Sequence, residues 1–125
     1  MAMDAAHEAT VARLRRVGAR FAFVHGSRVT GEEHAGSDLD VAAWWGSDAP
    51  APWDVDVGEG VDLLVLDDAP LELAGRVALH GVLLFDDDPA ARVRWQAQTR
   101  LIYLDEEDRQ RGLDRLFFVS RAERG

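Results

Sequence analysis

Two aspartates two positions apart, Asp38 and Asp40, open an apolar run of Val41, Ala42, Ala43 and Trp44. Separated from them by ten residues, a glycine and a serine, Gly26 and Ser27, close another apolar run. Side chains alternate along a strand, so Asp38 and Asp40 project to the same side. Two neighbouring carboxylates repel each other unless a cation lies between them, and an oxygen-only ligand set suits Mg²⁺. Gly26 lets the backbone come close to a phosphate, while Ser27 supplies a hydroxyl and an N–H at a turn. A phosphate cradle one strand away from a metal-binding carboxylate pair is the minimum equipment for moving a nucleotide. Each piece is common alone; the spacing, with both pieces at the ends of strand-like runs, makes the signal.

The elements that must position these residues alternate between helix and strand. Residues 4–17 read as an amphipathic helix with Ala9, Leu14 and Val17 as its apolar positions, Asp4 as N-cap and Gly18 as the stop. Residues 21–25 form a first strand, too apolar for an exposed edge. A short helical turn from Ser27 to about Gly31 would direct its N–H groups at phosphate. Residues 38–45 and 61–66 are the second and third strands. Pro70 starts a helix through about Leu79, ended by Gly81. Residues 82–85 are a fourth strand. Asp88 and Pro89 cap a long final helix whose apolar positions Val93, Ala97, Leu101 and Leu104 recur at helical spacing, with Leu113, Leu116 and Phe117 continuing it. Residues 46–60, with Pro50, Pro52, Gly58 and Gly60, read as a hairpin-like or irregular connection.

Composition narrows the function. The chain has 125 residues, room for one domain spanning 1–125 with one core. It lacks cysteine, which excludes disulfides and thiolate metal sites and makes a cytoplasmic location the expectation. All 14 basic residues are arginine, and the net charge is −9. That balance argues against general nucleic-acid binding and suits a basic protein partner. No stretch is long and apolar enough to span a bilayer, so no membrane association is expected. His25, just before the phosphate turn, reads as a nucleotide contact or a packed strand end, His34 as a solvated loop residue and His80 as a helix C-terminus. The acidic runs 86–88 and 105–108 read as a capped turn and an exposed helix face. Trp44 and Trp45 point to opposite faces, and Tyr103 reads as a helix-packing tyrosine.

The glycine–serine pair, the ten-residue gap and the paired aspartates resemble the signature of the DNA polymerase β-type nucleotidyltransferase superfamily, and the small size resembles its stand-alone minimal nucleotidyltransferases. That resemblance implies an α/β (α+β) fold with a small mixed sheet of about four strands flanked by helices, and a long C-terminal helix. It also implies a third carboxylate on the strand after the aspartate pair, for which Asp62 stands in a matching context. Asp38, Asp40 and Asp62 would then be catalytic and would hold two Mg²⁺ ions, with ATP as substrate. Gly26 and Ser27 would bind its phosphates; Arg28 would add charge there or pair with Glu32. Minimal nucleotidyltransferases of this size are usually antitoxins paired with a HEPN-domain ribonuclease toxin, and resemble protein adenylyltransferases that move AMP to a tyrosine near the ribonuclease site. The alternatives are an antitoxin that only occludes its toxin, with the terminal helix as contact surface, and a small-molecule nucleotidyltransferase.

Overall fold

The structure, a computed structural model, describes residues 5–26 and 39–124. Asp4, His34, the turn from Ser27 to about Gly31 and the Arg28–Glu32 pair lie outside the described residues. Helix α1, Ala5–Arg16, turns Thr10, Val11 and Leu14 inward. Ala9 and Val17, expected on its apolar stripe, are exposed instead. Gly18 ends the helix at φ 94°, a left-handed conformation, and the N–H of Ala19 donates to the Leu14 carbonyl.

Four strands follow: β1 (Phe21–His25), β2 (Leu39–Trp44), β3 (Val61–Val65) and β4 (Val82–Asp86). Their order in the sheet is β3-β2-β1-β4; β1 is antiparallel to β2 and β4, while β2 and β3 run parallel. The apolar β1 is thus an interior strand, and the sheet is mixed, as expected. Alternation divides the core in two. On one face α1 covers Ala22, Val41, Ala43, Val65 and Phe85. On the other, Phe21, Phe23, Ala42 and Leu64 meet helices α2 (Leu71–His80) and α3 (Pro89–Arg124). Phe21 stacks on Trp44 at 5.0 Å between ring centres, with Trp95 of α3 tilted over it at 5.7 Å. Trp45 faces the α1 layer and donates its indole N–H to the Val17 carbonyl, so the two tryptophans do part to opposite sides.

Because β2 and β3 are parallel, a hairpin cannot join them. Residues 46–60 form an irregular crossover with one 3₁₀ turn, Pro52–Asp54. Its alternating Val55 and Val57 are buried, and the Thr10 hydroxyl donates to the Val57 carbonyl at 3.0 Å. At the far end of β2, the Asp67 carboxylate accepts the N–H groups of Trp45 and Gly46 at 3.0 and 2.7 Å, tying β2 to the turn after β3.

Pro70 sits at the N-cap of α2 rather than inside its first turn. Gly81, at its C-terminus, has an ordinary negative φ; glycine is needed because a Cβ would meet the Val77 carbonyl and the Phe23 ring. Asp88 caps α3 as expected, accepting the Ala91 N–H at 3.2 Å. The inward face of α3 differs from the expected one. Ala91 and Trp95 point to the body together with Tyr103, which packs as expected: its ring occupies the space a Cβ on Gly75 would need. Gln96 and Arg100 donate to the Ala78 carbonyl at 3.0 and 2.7 Å. Large aromatics opposite a glycine set this face, so Val93, Leu101 and Leu104 are left outside. Among the described residues, no helix is long and apolar enough to cross a membrane.

Candidate active site

Strand pairing brings three polar side chains into one transverse row. His25 of β1 is the register partner of Asp40 in β2, and Asp40 is the partner of Asp62 in β3. Register partners on adjacent strands share a face. Phe23 with Ala42, and Ala42 with Leu64, fix that face as the one toward α2 and α3. Asp62, expected on the strand after the aspartate pair, lies on β3 in register with Asp40 and on the same face. Asp62 is exposed and Asp40 half-buried, so the row opens to solvent at the β3 side.

Gly26 follows β1 at φ 85°, where L side chains are strained. A Cβ at this position would collide with the Asp40 carboxylate, whose Cγ would lie 3.2 Å from it. Glycine thus allows Asp40 to lie against the chain where β1 ends. This is also the point at which a phosphate could approach the backbone. Ser27, Arg28 and Asp38 lie outside the described residues.

His25 closes β1, at the strand end where the sequence places it. It is half-buried, and burial pushes its imidazole below the ordinary histidine value, with the Asp40 charge pulling the other way. The row makes it a neighbour of the carboxylates as well. The signal was available: Phe21, Phe23 and His25 share parity along the strand, so His25 lies on the face that the antiparallel register gives to Asp40.

The other acidic residues sort differently. Asp86 accepts Arg92 at 2.9 Å, Asp87 accepts two N–H groups of Arg15 at 2.8 Å, and Asp88 accepts Arg20 at 3.2 Å. That turn is capped at Asp88, as expected, and is in addition a web of ion pairs that the sequence does not show. Among the described residues neither Asp40 nor Asp62 has an ion-pair partner, and no group of three or more His, Asp or Glu is placed to hold a metal ion. Asp40 and Asp62 supply two oxygen donors on one face, a chemistry that fits Mg²⁺. A cleft of about 360 Å³ between α1 and β4 lies on the opposite face of the sheet, and its Arg15 is committed to Asp87 and to the Phe85 ring.

No family model and no curated protein matches the chain. Solved structures do match. A toxin–antitoxin crystal structure with AMP-PNP contains a chain 21% identical at a TM-score of 0.71, over 89% of this chain and 98% of that one. The toxin–antitoxin MntA–HepT gives 18% identity and a TM-score of 0.66, over 90% and 97%. A tri-AMPylated Shewanella oneidensis HEPN toxin in complex with MNT antitoxin gives 18% and 0.66, over 90% and 96%. At these identities the likeness establishes the fold: a mixed four-stranded sheet, flanked by helices, of the kind found in these toxin–antitoxin structures.

Proposed function

We propose that this chain is a single nucleotidyltransferase domain that acts as an antitoxin, transferring AMP from ATP to a tyrosine of a partner HEPN ribonuclease. The observation that carries the reading is the Asp40–Asp62 register beside Gly26, on a fold shared with chains from AMP-PNP-bound and AMPylated toxin–antitoxin complexes. Asp40 and Asp62, with Asp38, would hold Mg²⁺, which when bound supplies positive charge to the triphosphate and to the attacking oxygen.

The chain's own residues have separable roles. Gly26 and Ser27 bind the β- and γ-phosphates through backbone N–H groups and the serine hydroxyl, and Arg28 adds charge beside them. The acceptor tyrosine oxygen bonds to the α-phosphorus as the bond from that phosphorus to the bridging oxygen breaks. Pyrophosphate leaves with the electron pair. The tyrosine proton passes to Asp62, whose exposure at the open side of the row suits contact with a second protein. AMP on the toxin blocks RNA by charge and bulk.

Intact mass spectrometry of this protein incubated with ATP, Mg²⁺ and the protein encoded by the neighbouring gene tests the reading. A gain of AMP units on the partner, lost in Asp40→Ala, is the expected result. Tight binding with no gain in mass would replace transfer by occlusion, a reading favoured by the exposed apolar side of α3.

A further inference from the structure

The apolar stripe that periodicity assigned to the core faces away from it. Val93, Leu101 and Leu104 are 54%, 72% and 46% exposed, and Ala97 between them is exposed too. At 1.5 Å per residue the stripe runs for about 16 Å along α3. It lies on the anchored part of the helix, where Gln96 and Arg100 hold the Ala78 carbonyl and Tyr103 packs on Gly75. Four consecutive acids, residues 105–108, follow immediately, and Asp108 continues the stripe one turn beyond Leu104. Only Glu106 of the four has an ion-pair partner among the described residues, Arg109. Of the nearby arginines, Arg92 is bound to Asp86, Arg100 to Ala78 and Arg109 to Glu106; Arg94 flanks the stripe, and Arg111 and Arg115 follow Asp108 one and two turns on and bound the acidic run at its far end.

An apolar strip with a polar rim on a rigid helix marks an interaction surface, and the charge selects its occupant. A second copy of this chain carries the same acidic run and a net charge of −9, so like charge opposes self-association. A ribonuclease must attract a polyanion and therefore presents a cationic surface. We infer that the outward side of α3 docks the toxin: Val93, Leu101 and Leu104 cover an apolar patch, while Asp105, Glu107 and Asp108 meet surrounding cationic groups. The inference rests on the antitoxin reading above and adds the surface that holds the toxin, apart from the carboxylate row that would modify it.

The test compares the full chain with Leu101→Asp/Leu104→Asp and with Asp105→Arg/Asp108→Arg, each checked for an unchanged circular dichroism spectrum and Tm. Affinity for the protein encoded by the neighbouring gene is measured by calorimetry or interferometry, and AMP transfer as a function of its concentration. The leucine variant should weaken binding about 30-fold or more, as loss of an interface anchor does. Its KM for the toxin should rise while kcat is retained. The charge-reversed variant should slow association and lose most of its salt dependence. Asp40→Ala should bind as wild type does. Unchanged affinity and KM in both α3 variants, with wild type binding and transferring AMP, would overturn the docking surface and leave the function standing. Wild type that neither binds nor modifies the neighbour overturns both. Unchanged toxin affinity, with a sedimentation shift of the leucine variant alone, would assign the stripe to self-association instead.

Discussion

Two acidic regions of this molecule have similar composition and opposite wiring. The turn at Asp86, Asp87 and Asp88 gives each carboxylate its own arginine, brought in from α1, from the start of β1 or from α3. The row through Asp40 and Asp62 has no arginine partner among the described residues, and its carboxylates lie side by side on adjacent strands. Acidity therefore does not distinguish structure from chemistry here. Pairing does: a carboxylate satisfied by a guanidinium has little left to offer a metal, whereas an unpaired set retains its lone pairs and its repulsion.

The contrast predicts a graded series of losses. Asp40→Ala and Asp62→Ala should each lower AMP transfer by about 1,000-fold, the scale for losing a preorganised charge-stabilising group, while Tm holds or rises as repulsion is relieved. A Tm that fell with the activity would break the distinction between the two regions. Gly26→Ala should cost both properties, because Ala must adopt a left-handed φ and displace the Asp40 carboxylate. Its expected stability loss is about 1–2 kcal/mol, measured by urea unfolding, with transfer reduced at least tenfold at saturating ATP.

Asp86→Ala should show the reverse pattern. Asp86 is well covered, accepts Arg92 and also accepts the Asp88 N–H at the entry to α3, so about 2 kcal/mol of stability should go while the specific transfer rate stays as in wild type. Thr10→Val should cost about 1 kcal/mol, since the Val57 carbonyl loses its buried donor, again without a change in kcat. The smallest effect belongs to Asp87. Its hydrogen bonds from Arg15 hold the carboxyl below its ordinary value. A depressed folded value contributes stability above the unfolded one, near pH 4, and that contribution disappears as the pH falls through the folded value. Both side chains are exposed, so Asp87→Asn should flatten the acid limb of a Tm-against-pH curve only slightly.

Much of this was readable from the residues. Strong local signals held: the apolar β1, the Asp88 cap, the Gly18 stop and the continuity of the final helix. Asp62 does fall on the strand after the aspartate pair, as expected, and the parallel register then sets it opposite Asp40. The face of α3 was misread for a physical reason. Two helical stripes compete there, and hydropathy favours Val93, Leu101 and Leu104, whereas packing favours Trp95 and Tyr103 because Gly75 lets the helices close together. That choice depends on a residue on another element, invisible to any window along α3. His25 shares parity with Phe21 and Phe23, but its place beside Asp40 depends on the cross-strand register as well.

The contact between Tyr103 and Gly75 also acts as a fulcrum. From residue 103 to its end at Arg124, α3 runs for about 31 Å, so a tilt of about 10° at that contact would move its tip by about 5 Å. Replacing Gly75 with alanine would drive a methyl group into the tyrosine ring and turn the whole helix like an oar in its rowlock. A single missing methyl on α2 thereby sets where the far end of the molecule points.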